Sequence, residues 1–454
     1  MLPIQRAHRS GLGRLGVHPA QAVVIGFAGA VIGGTLLLLL PISKEGPGGA
    51  TFMEALFTAT SAVCVTGHII VDTPVFWSGF GQAVILLLIQ VGGLGIMIFA
   101  SLIGMSLARK MSIRSRVTTA AEARSVGLAD VTGLIRRIVS ITLMIEAAVF
   151  VVLTLRFWLG YGYSVGDSAW YGVFHAVSSF NNAGFSTFSD NLVDFATDVW
   201  ICLPIALAVI LGGLGFPVMM QLRREFRRPL HWTMNTKLVL AGTATLLVVG
   251  TVLTCLIEWS NPLTLGWMTP PERLLAGFFY SVQTRTAGFN SVPIGEMNPE
   301  TWLVSDILMF IGGGPAGTAG GIKVTTFLVL FFIMLTELRG EGAVNIFGKR
   351  LSRAVHRQAI TIVLVSVGAV VAATGAIMLL TDLTIDRVLF EVVSAFATVG
   401  LSTGITADLP MGAQAILVAL MFLGRIGPLT LGTAIVLRQR RILYELPKER
   451  PVIG

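Results

Sequence analysis

A short segment centred on a glycine occurs four times in the chain, and this repetition limits what the chain can fold into. The segments read LFTATSAVCVTGHI, VFHAVSSFNNAGFS, GFFYSVQTRTAGFN and LFEVVSAFATVGLS, and they align without gaps on Gly67, Gly184, Gly288 and Gly400. The glycines are 117, 104 and 112 residues apart. Because recurrence of this kind is typical of repeated structural units, the sequence predicts four copies of one unit.

Long apolar runs flank every glycine segment. Each unit begins with an apolar run of about 20 residues, which is enough to cross the hydrocarbon core of a membrane. A shorter amphipathic stretch, the glycine segment and a second long run follow, and the short stretch is expected to enter the membrane from outside and return. The units are predicted at 18–108, 132–222, 236–338 and 354–437. The expected fold is an all-α polytopic membrane protein with eight transmembrane helices and four re-entrant pore helices.

Composition and charge placement agree with a membrane protein. Hydrophobic residues make up 54% of the chain and charged residues only 12%, about half the usual share in soluble proteins. These values exclude a cytosolic enzyme and a disordered scaffold. Lysine and arginine concentrate near the chain ends and between the units, whereas acidic residues lie mainly within the units. This positive-inside pattern predicts that the termini, 1–17 and 438–454, are cytoplasmic, and it explains the net charge of +8 without nucleic acid.

The cysteines and histidines give no indication of a catalytic or metal site. The three cysteines stand far apart within apolar runs, which excludes a disulfide framework and a cysteine metal cluster. The six histidines are scattered and lack the spacing of metal ligands. An enzyme is therefore not expected.

The four glycine segments are candidates for an ion-selective filter. Non-helical backbone within a membrane is tolerated where it is buried or lines water, and rings of backbone carbonyls can replace the hydration shell of an alkali cation. Each short helix would direct its partly negative C-terminal end toward such a site. One segment alone would be read as a tight turn that needs glycine, but four in register favour a filter. The candidate ion-binding residues are Val65, Thr66, Gly67, His68, Asn182, Ala183, Gly184, Phe185, Thr286, Ala287, Gly288, Phe289, Thr398, Val399, Gly400 and Leu401.

The second apolar run of the third unit is interrupted by GGGPAGTAGGIKVTT at 312–326. Each glycine costs a helix about 1 kcal/mol and a proline about 3 kcal/mol relative to alanine, so the helix is expected to break here. A mobile loop at 312–322 under the filter would obstruct a pore, although a packing kink remains the alternative. Lys323 is either a positive charge in the ion path or a lysine that snorkels to the membrane edge. The candidate gate residues in this run are Gly312, Gly313, Gly314, Gly317, Thr318, Gly320, Gly321 and Lys323.

Small-residue clusters recur in the second long run of each unit, about 25 residues after the filter glycine. They read GGLG, GGLG, GGGP and GRIG and begin at Gly92, Gly212, Gly312 and Gly424. Close helix packing is the simplest interpretation. Arg425 lies in the fourth cluster, and an intramembrane arginine usually has a partner or a function.

The four membrane–pore–membrane units, with TSAVCVTG, SSFNNAGFST, QTRTAGFNS and SAFATVGLSTG, resemble the Trk/Ktr/HKT superfamily of potassium transporters, and most closely its bacterial Ktr membrane subunits. The resemblance extends from about residue 21 to residue 441. It implies a pseudo-fourfold central pore inside each subunit of a homodimer. It also implies that the interrupted run is a gating loop and that Arg425 faces the pore beside it, although a structural salt bridge remains possible for Arg425.

The same resemblance implies potassium uptake driven by the membrane potential, with K⁺ bound at the filter carbonyls. Glycine at all four positions points to K⁺ rather than Na⁺. Sodium is a possible activator, and a nucleotide-binding cytoplasmic ring of RCK type, which takes ATP or ADP, is the implied partner. This chain carries no nucleotide motif of its own, so no nucleotide is expected on it. Membrane lipid is a further expected partner, and the implied location is the inner membrane of a bacterium.

Two questions stay open at this level. A sodium-selective or Na⁺/K⁺-coupled member of the same superfamily is the main alternative, whereas a different secondary transporter is disfavoured because all four units run in the same sense. His68 departs from the apolar residue that related sequences often carry. It is either a group that makes conduction depend on pH or a solvated residue at the outer mouth.

Overall fold

A computed structural model describes residues 19–115 and 128–427, which are mostly helical. The predicted cytoplasmic segments 1–17 and 438–454 lie outside the described residues. The helices, in chain order, are α1 (Pro19–Leu38), α2 (Phe52–Cys64), α3 (Thr73–Phe76), α4 (Gly79–Ser115), α5 (Leu128–Tyr161), α6 (Val165–Phe180), α7 (Val199–Leu214), α8 (Phe216–Glu225), α9 (Met234–Glu258), α10 (Pro270–Gln283), α11 (Pro299–Phe310), α12 (Val324–Leu338), α13 (Arg353–Met378), α14 (Ile385–Ala397) and α15 (Met411–Ile426). A two-stranded antiparallel hairpin, β1 (Asn345–Ile346) and β2 (Lys349–Arg350), connects α12 to α13.

Within the described residues, five helices are long and apolar enough to cross a membrane: α1, α4, α5, α9 and α13. Helices α7 and α8 together make a sixth candidate, which bends by 99° at Gly215. The third unit has no continuous second span, because α11 and α12 are separated by the glycine-rich loop. In the fourth unit α15 is described to its end at Ile426. The number of eight spans therefore stays a prediction.

Four shorter helices, α2, α6, α10 and α14, precede the four glycine segments. They contain 13 to 16 residues, so they are roughly 20–24 Å long and shorter than a bilayer core. Each follows a serine or threonine at the N-cap: Thr51, Ser164, Thr269 or Thr384. These residues favour a helix start because their side-chain oxygens accept bonds from free N–H groups of the first turn.

The helices pack in a cyclic order. The second long helix of each unit contacts the short helix of the next unit, in the pairs α4 with α6, α7 with α10, α11 with α14, and α15 with α2. Because the last pair returns to the first unit, the four units close into a ring. The C-terminal halves of the short helices form the centre and are mostly buried. The long helices carry exposed apolar residues such as Leu36, Leu87 and Leu364. This inside-out distribution fits an outer surface in contact with lipid.

Candidate ion-binding site and gate

The four glycine segments meet at the centre of this ring, and each contacts the next one. A Cβ atom placed on any of the four glycines would collide with a carbonyl oxygen of the residue just before the next glycine. The distances are 2.4 Å from Gly67 to Ala183, 2.5 Å from Gly184 to Ala287, 2.0 Å from Gly288 to Val399 and 2.1 Å from Gly400 to Thr66. No side chain fits at these positions, so the backbones of the four loops approach one another around a common axis.

All four loops share one backbone conformation. Two residues before each glycine, a non-glycine residue has a left-handed φ: Val65 at 56°, Asn182 at 60°, Thr286 at 70° and Thr398 at 52°. The glycines themselves have φ values of 89°, 71°, 74° and 94° in the same order. A non-glycine residue in this region costs about 1–2 kcal/mol, so the surrounding contacts must hold the loops in shape.

The serine six residues before the glycine is one of these contacts. In the first and fourth loops, the N–H of Gly67 and of Gly400 donates to the hydroxyl of Ser61 and of Ser394, at 3.1 Å in both cases. In the second loop, the hydroxyl of Ser178 donates instead to the carbonyl of Phe185.

In the third loop Val282 replaces the serine, and the neighbouring Gln283 supplies the contact. Its side-chain oxygen accepts from the N–H of Phe289 at 3.2 Å, and its carbonyl accepts from the N–H of Gly288 at 3.3 Å. In the third loop Gln283 therefore takes the role that serine has in the other loops, and the backbone shape is kept.

On one side of the ring lies a cavity of about 450 Å³, whose floor includes Gly67, Gly184 and Gly400. Its lining carries the carboxyl groups of Asp72 and Asp190. Negative charge around a concave entrance raises the local concentration of cations. This side corresponds to the outer mouth in the predicted topology.

His68, immediately after the first glycine, does not face this cavity as a solvated residue. It is only 1% exposed, and its Nδ1 lies 3.5 Å from Oε2 of Glu391 in α14. The interpretation as a solvated residue at the mouth is therefore wrong, because the side chain points behind the loops into the protein. A dependence of conduction on pH stays a prediction.

The glycine-rich loop between α11 and α12 lies against the opposite side of the ring. With its amide nitrogen facing the loop, Asn182 donates to the hydroxyl of Thr318 at 2.9 Å. A Cβ on Gly320 would lie 1.9 Å from the hydroxyl oxygen of Thr398. The loop therefore touches the left-handed residues of the second and fourth filter segments.

The backbone of this loop also pairs with the end of α7. The N–H of Gly314 donates to the carbonyl of Gly213 at 2.7 Å, and the N–H of Thr318 donates to the carbonyl of Gly212 at 3.1 Å. Glycine is needed for this close packing, because a Cβ atom added to four of the loop glycines would lie within 3 Å of a backbone carbonyl oxygen. The positions and distances are Gly312 to Gly320 at 2.2 Å, Gly313 to Gly213 at 2.6 Å, Gly314 to Leu214 at 2.4 Å and Gly317 to Gly212 at 2.9 Å.

Three cationic side chains hold carbonyl oxygens of the loop. Buried Arg425 donates to the carbonyls of Thr318 and Gly92, the latter at 3.1 Å. Lys323 donates to the carbonyls of Ala319 at 2.6 Å and Gly320 at 3.3 Å, so its amine turns into the loop rather than snorkelling to the membrane edge.

Arg285, from the third filter segment, is the third cation. It donates to the carbonyl of Gly312 at 2.9 Å, where the loop begins. The sequence prediction assigned it no role, although a charge inside a buried re-entrant segment was a signal.

The structural salt bridge considered for Arg425 is not present in the part of the chain that the structure describes. The pairs of acidic and basic side chains within 4 Å there are His68 with Glu391 and Arg156 with Asp198. Arg425 instead donates hydrogen bonds to two backbone carbonyls, one in the loop and one in the glycine cluster of the first unit. It therefore links the loop to the first and fourth units.

The small-residue clusters are packing sites in three of the four units. A Cβ on Gly92, Gly212 or Gly424 would lie within about 2 Å of the carbonyl oxygen four residues before the filter glycine of the same unit. Those carbonyls belong to Val63, Phe180 and Phe396. The packing interpretation holds for these units, whereas the third cluster is part of the loop.

Comparison with known proteins places these features in a family. The model of the TrkH family, described as a cation transport protein, matches residues 33–443. The chain is 39% identical to the Ktr system potassium uptake protein B of Bacillus subtilis over 412 residues, which cover 91% of this chain and 92% of that protein. It is 34% identical to the potassium/sodium uptake protein NtpJ of Enterococcus hirae over 447 residues, which cover 96% and 98%.

The fold is also similar to the crystal structure of the potassium transporter TrkH from Vibrio parahaemolyticus. The TM-score is 0.73, and the match covers 95% of this chain and 87% of that chain at 17% identity. At this identity the similarity concerns the fold alone. The relatives are named for ion uptake and not for a chemical reaction, in agreement with the expectation of a transporter rather than an enzyme.

Proposed function

Because the chain belongs to the TrkH family of cation transport proteins, we propose that it is a multi-pass membrane subunit that takes up potassium ions. The observation that carries this proposal is the closed ring of four glycine loops, in which each glycine leaves room for a carbonyl of the next loop. The potassium uptake stated in the name of the Bacillus subtilis relative supports the choice of ion.

In this proposal the carbonyl oxygens of the four loops replace the water around a K⁺ ion. The ion is cargo and not a resident cofactor. The membrane potential supplies about 2.3 kcal/mol per charge for each 100 mV, so uptake needs no chemical step. The acidic side chains of Asp72 and Asp190 at the cavity attract cations to the filter.

The glycine-rich loop at 312–322 is proposed as the gate. It contacts two filter segments from the side opposite the acidic cavity and is held by three cationic side chains. Movement of the loop away from Asn182 and Thr398 opens the path. Arg425 opposes that movement, and its positive charge adds an electrostatic barrier to cations beside the closed loop.

A sodium-selective or sodium-coupled transporter of the same family is the alternative function. The name of the Enterococcus hirae relative includes both ions, and this supports the alternative. Glycine at all four filter positions favours potassium. Competition between the two ions for the same uptake pathway separates the two functions.

The family resemblance supports three further features of the proposal. The subunit works as a homodimer in a bacterial inner membrane, with both termini in the cytoplasm. A cytoplasmic nucleotide-binding ring docks on its basic loops and controls the gate. Sodium stimulates transport as an activator.

The test is uptake of rubidium-86 into proteoliposomes that contain the purified full chain. Uptake that excess K⁺ blocks and excess Na⁺ does not block is the expected result. Equal block by Na⁺ would support the alternative function. If folded protein takes up no rubidium even after the cytoplasmic ring is added, the pore interpretation is wrong.

A further inference from the structure

The residue after the filter glycine is different in one of the four loops. It is Phe185, Phe289 or Leu401 in three loops, but His68 in the first. The histidine ring is buried, and neither ring nitrogen has a hydrogen-bond partner among the described residues. Its Nδ1 lies 3.5 Å from a carboxylate oxygen of Glu391. The tautomer with hydrogen on Nδ1 directs a positive N–H end toward that carboxylate.

Glu391 is already the anchor of the fourth loop. It lies on α14, nine residues before Gly400, and is 1% exposed. Its carboxylate accepts hydrogen bonds from the hydroxyl of Ser402, from the N–H of Thr403 at 3.0 Å and from the hydroxyl of Thr406 at 3.0 Å. The approach of His68 extends this anchor from the fourth loop to the first.

This contact lies beside the place where the ring closes. The carbonyl of Thr66 occupies the space next to Gly400, where an added Cβ would be 2.1 Å away. His68 follows Thr66 by two residues, so the contact with Glu391 acts on the same pair of loops. The two contacts therefore join the same two loops.

A second contact of the same design joins the second and third loops. His175, nine residues before Gly184, has its Nε2 3.0 Å from the hydroxyl of Ser186 in its own loop. Its ring stacks on Phe289 of the next loop, with 6.0 Å between ring centroids. In both places a side chain on the short helix holds the serine of its own loop and touches the residue after the next glycine. Of the two contacts, the one between His68 and Glu391 includes a carboxylate.

We propose that His68 and Glu391 are positioning residues that clamp the first filter loop to the fourth and thereby set the preference of the ring for potassium over sodium. The proposal rests on the proposed function, because it concerns the same ring. Carbonyls that are held apart suit the larger ion, whereas loops that are free to approach one another accommodate the smaller one. The clamp acts through loop spacing, and neither side chain needs to touch the ion.

The experiment compares single variants and the double variant of this pair in the full chain, in proteoliposomes. His68→Leu gives the first loop the residue type found in the fourth, and Glu391→Gln removes the charge but keeps the shape. We expect each to lower the ratio of potassium to sodium block of rubidium uptake by roughly threefold to tenfold, because each removes the polar contact between the two loops. The double variant should lose no more than the larger single loss, because the contact between His68 and Glu391 is already broken in either single variant.

Two further variants separate positioning from general stability. His68→Asn keeps a donor near the position of Nδ1, so it should retain the wild-type ratio. Glu258→Gln is the matched control, since Glu258 is also fully buried and accepts bonds from Thr264, Asn298 and Thr301 away from the ring.

The outcomes are distinct. If the wild-type chain shows no potassium-blocked uptake, the proposed function fails, and the clamp with it. If the wild type is selective and His68→Leu and Glu391→Gln keep its ratio, the clamp alone is overturned. The same conclusion follows if Glu258→Gln lowers the ratio equally.

Discussion

Gly288 leaves only 2.0 Å between the position of an added Cβ atom and the carbonyl oxygen of Val399. Gly67 leaves 2.4 Å to the carbonyl oxygen of Ala183. Both glycines have a positive φ, so a side chain there meets steric overlap and backbone strain together. At the scale of single residues, the proposed filter therefore depends on the absence of a side chain at four positions.

We expect Gly67→Ser and Gly288→Ser each to reduce the preference for K⁺ over Na⁺ and to lower rubidium uptake roughly tenfold, which corresponds to about 1.4 kcal/mol in the barrier. Gly33→Ser in α1 is the control, because an added Cβ there has no atom within 4 Å. Unchanged selectivity and flux in either filter variant would show that the filter is assigned to the wrong residues.

The alignment of the segments was enough to predict the four glycines and the need for unusual backbone at each. It did not predict the contact between His68 and Glu391, because these residues belong to different units of the ring. It also did not predict the partner of Arg285, because Gly312 lies 27 residues further along the same unit, in the loop between α11 and α12. The burial of His68 behind the loop is not visible in the sequence, because position in the chain does not reveal how deeply a side chain lies. Contacts between units depend on the order in which the units pack, and the sequence of a single segment carries no information on that order.

At the scale of helices and loops, the interruption between α11 and α12 is the largest departure from the regular unit. The loop uses backbone hydrogen bonds to α7 and three cationic side chains in place of a continuous helix. Glycine content predicted that the helix would break, and the contacts of the loop with Asn182 and Thr398 explain why the break lies under the filter.

Deletion of residues 314–320 should raise rubidium uptake severalfold, since the segment that contacts the filter is removed. Arg285→Leu provides a milder comparison, because it frees the first residue of the loop without shortening the chain. Both proteins should be checked for folding by size-exclusion chromatography. A fall in uptake by well-folded protein would instead indicate that the loop has a structural role.

The start of α2 offers a test of local stability that is separate from transport. The N–H of Thr51 donates to Glu54 at 2.6 Å, and the N–H of Glu54 donates to the hydroxyl of Thr51 at 3.4 Å. Thr51→Ala removes this capping box, which should lower the free energy of unfolding by about 1 kcal/mol. Thermal unfolding in detergent measures the change. Selectivity for potassium should not change, and an unaltered midpoint would contradict the assigned cap.

At the scale of the whole molecule, each unit packs its second long helix on the short helix of the next one, and α15 closes the ring on α2. The sequence predicted the units from their spacing and the re-entrant helices from their length. It did not predict the 99° bend at Gly215, because that bend accommodates the third unit, with the carbonyl of Pro315 2.4 Å from an added Cβ.

The assembly expected for this molecule is a homodimer, and it can be measured directly. Light scattering of the purified chain should give a protein mass of twice 48.4 kDa after the detergent contribution is subtracted. With the cytoplasmic ring protein bound, the mass should rise by the mass of the ring, and the complex should still contain two copies of this chain. A mass of one chain in protein that transports rubidium would contradict the dimer.

The ring of loops also has a direction of rotation, because each glycine accommodates a carbonyl of the following unit and not of the preceding one. The four units are therefore not structurally independent of one another. A shift of the backbone before one filter glycine moves the carbonyl that lies against the glycine of the preceding unit, so positions 183 and 67, or 399 and 288, are expected to move together. Each unit is fitted to the unit before it and to the unit after it. Replacing one unit with a copy of another would therefore change both of these contacts.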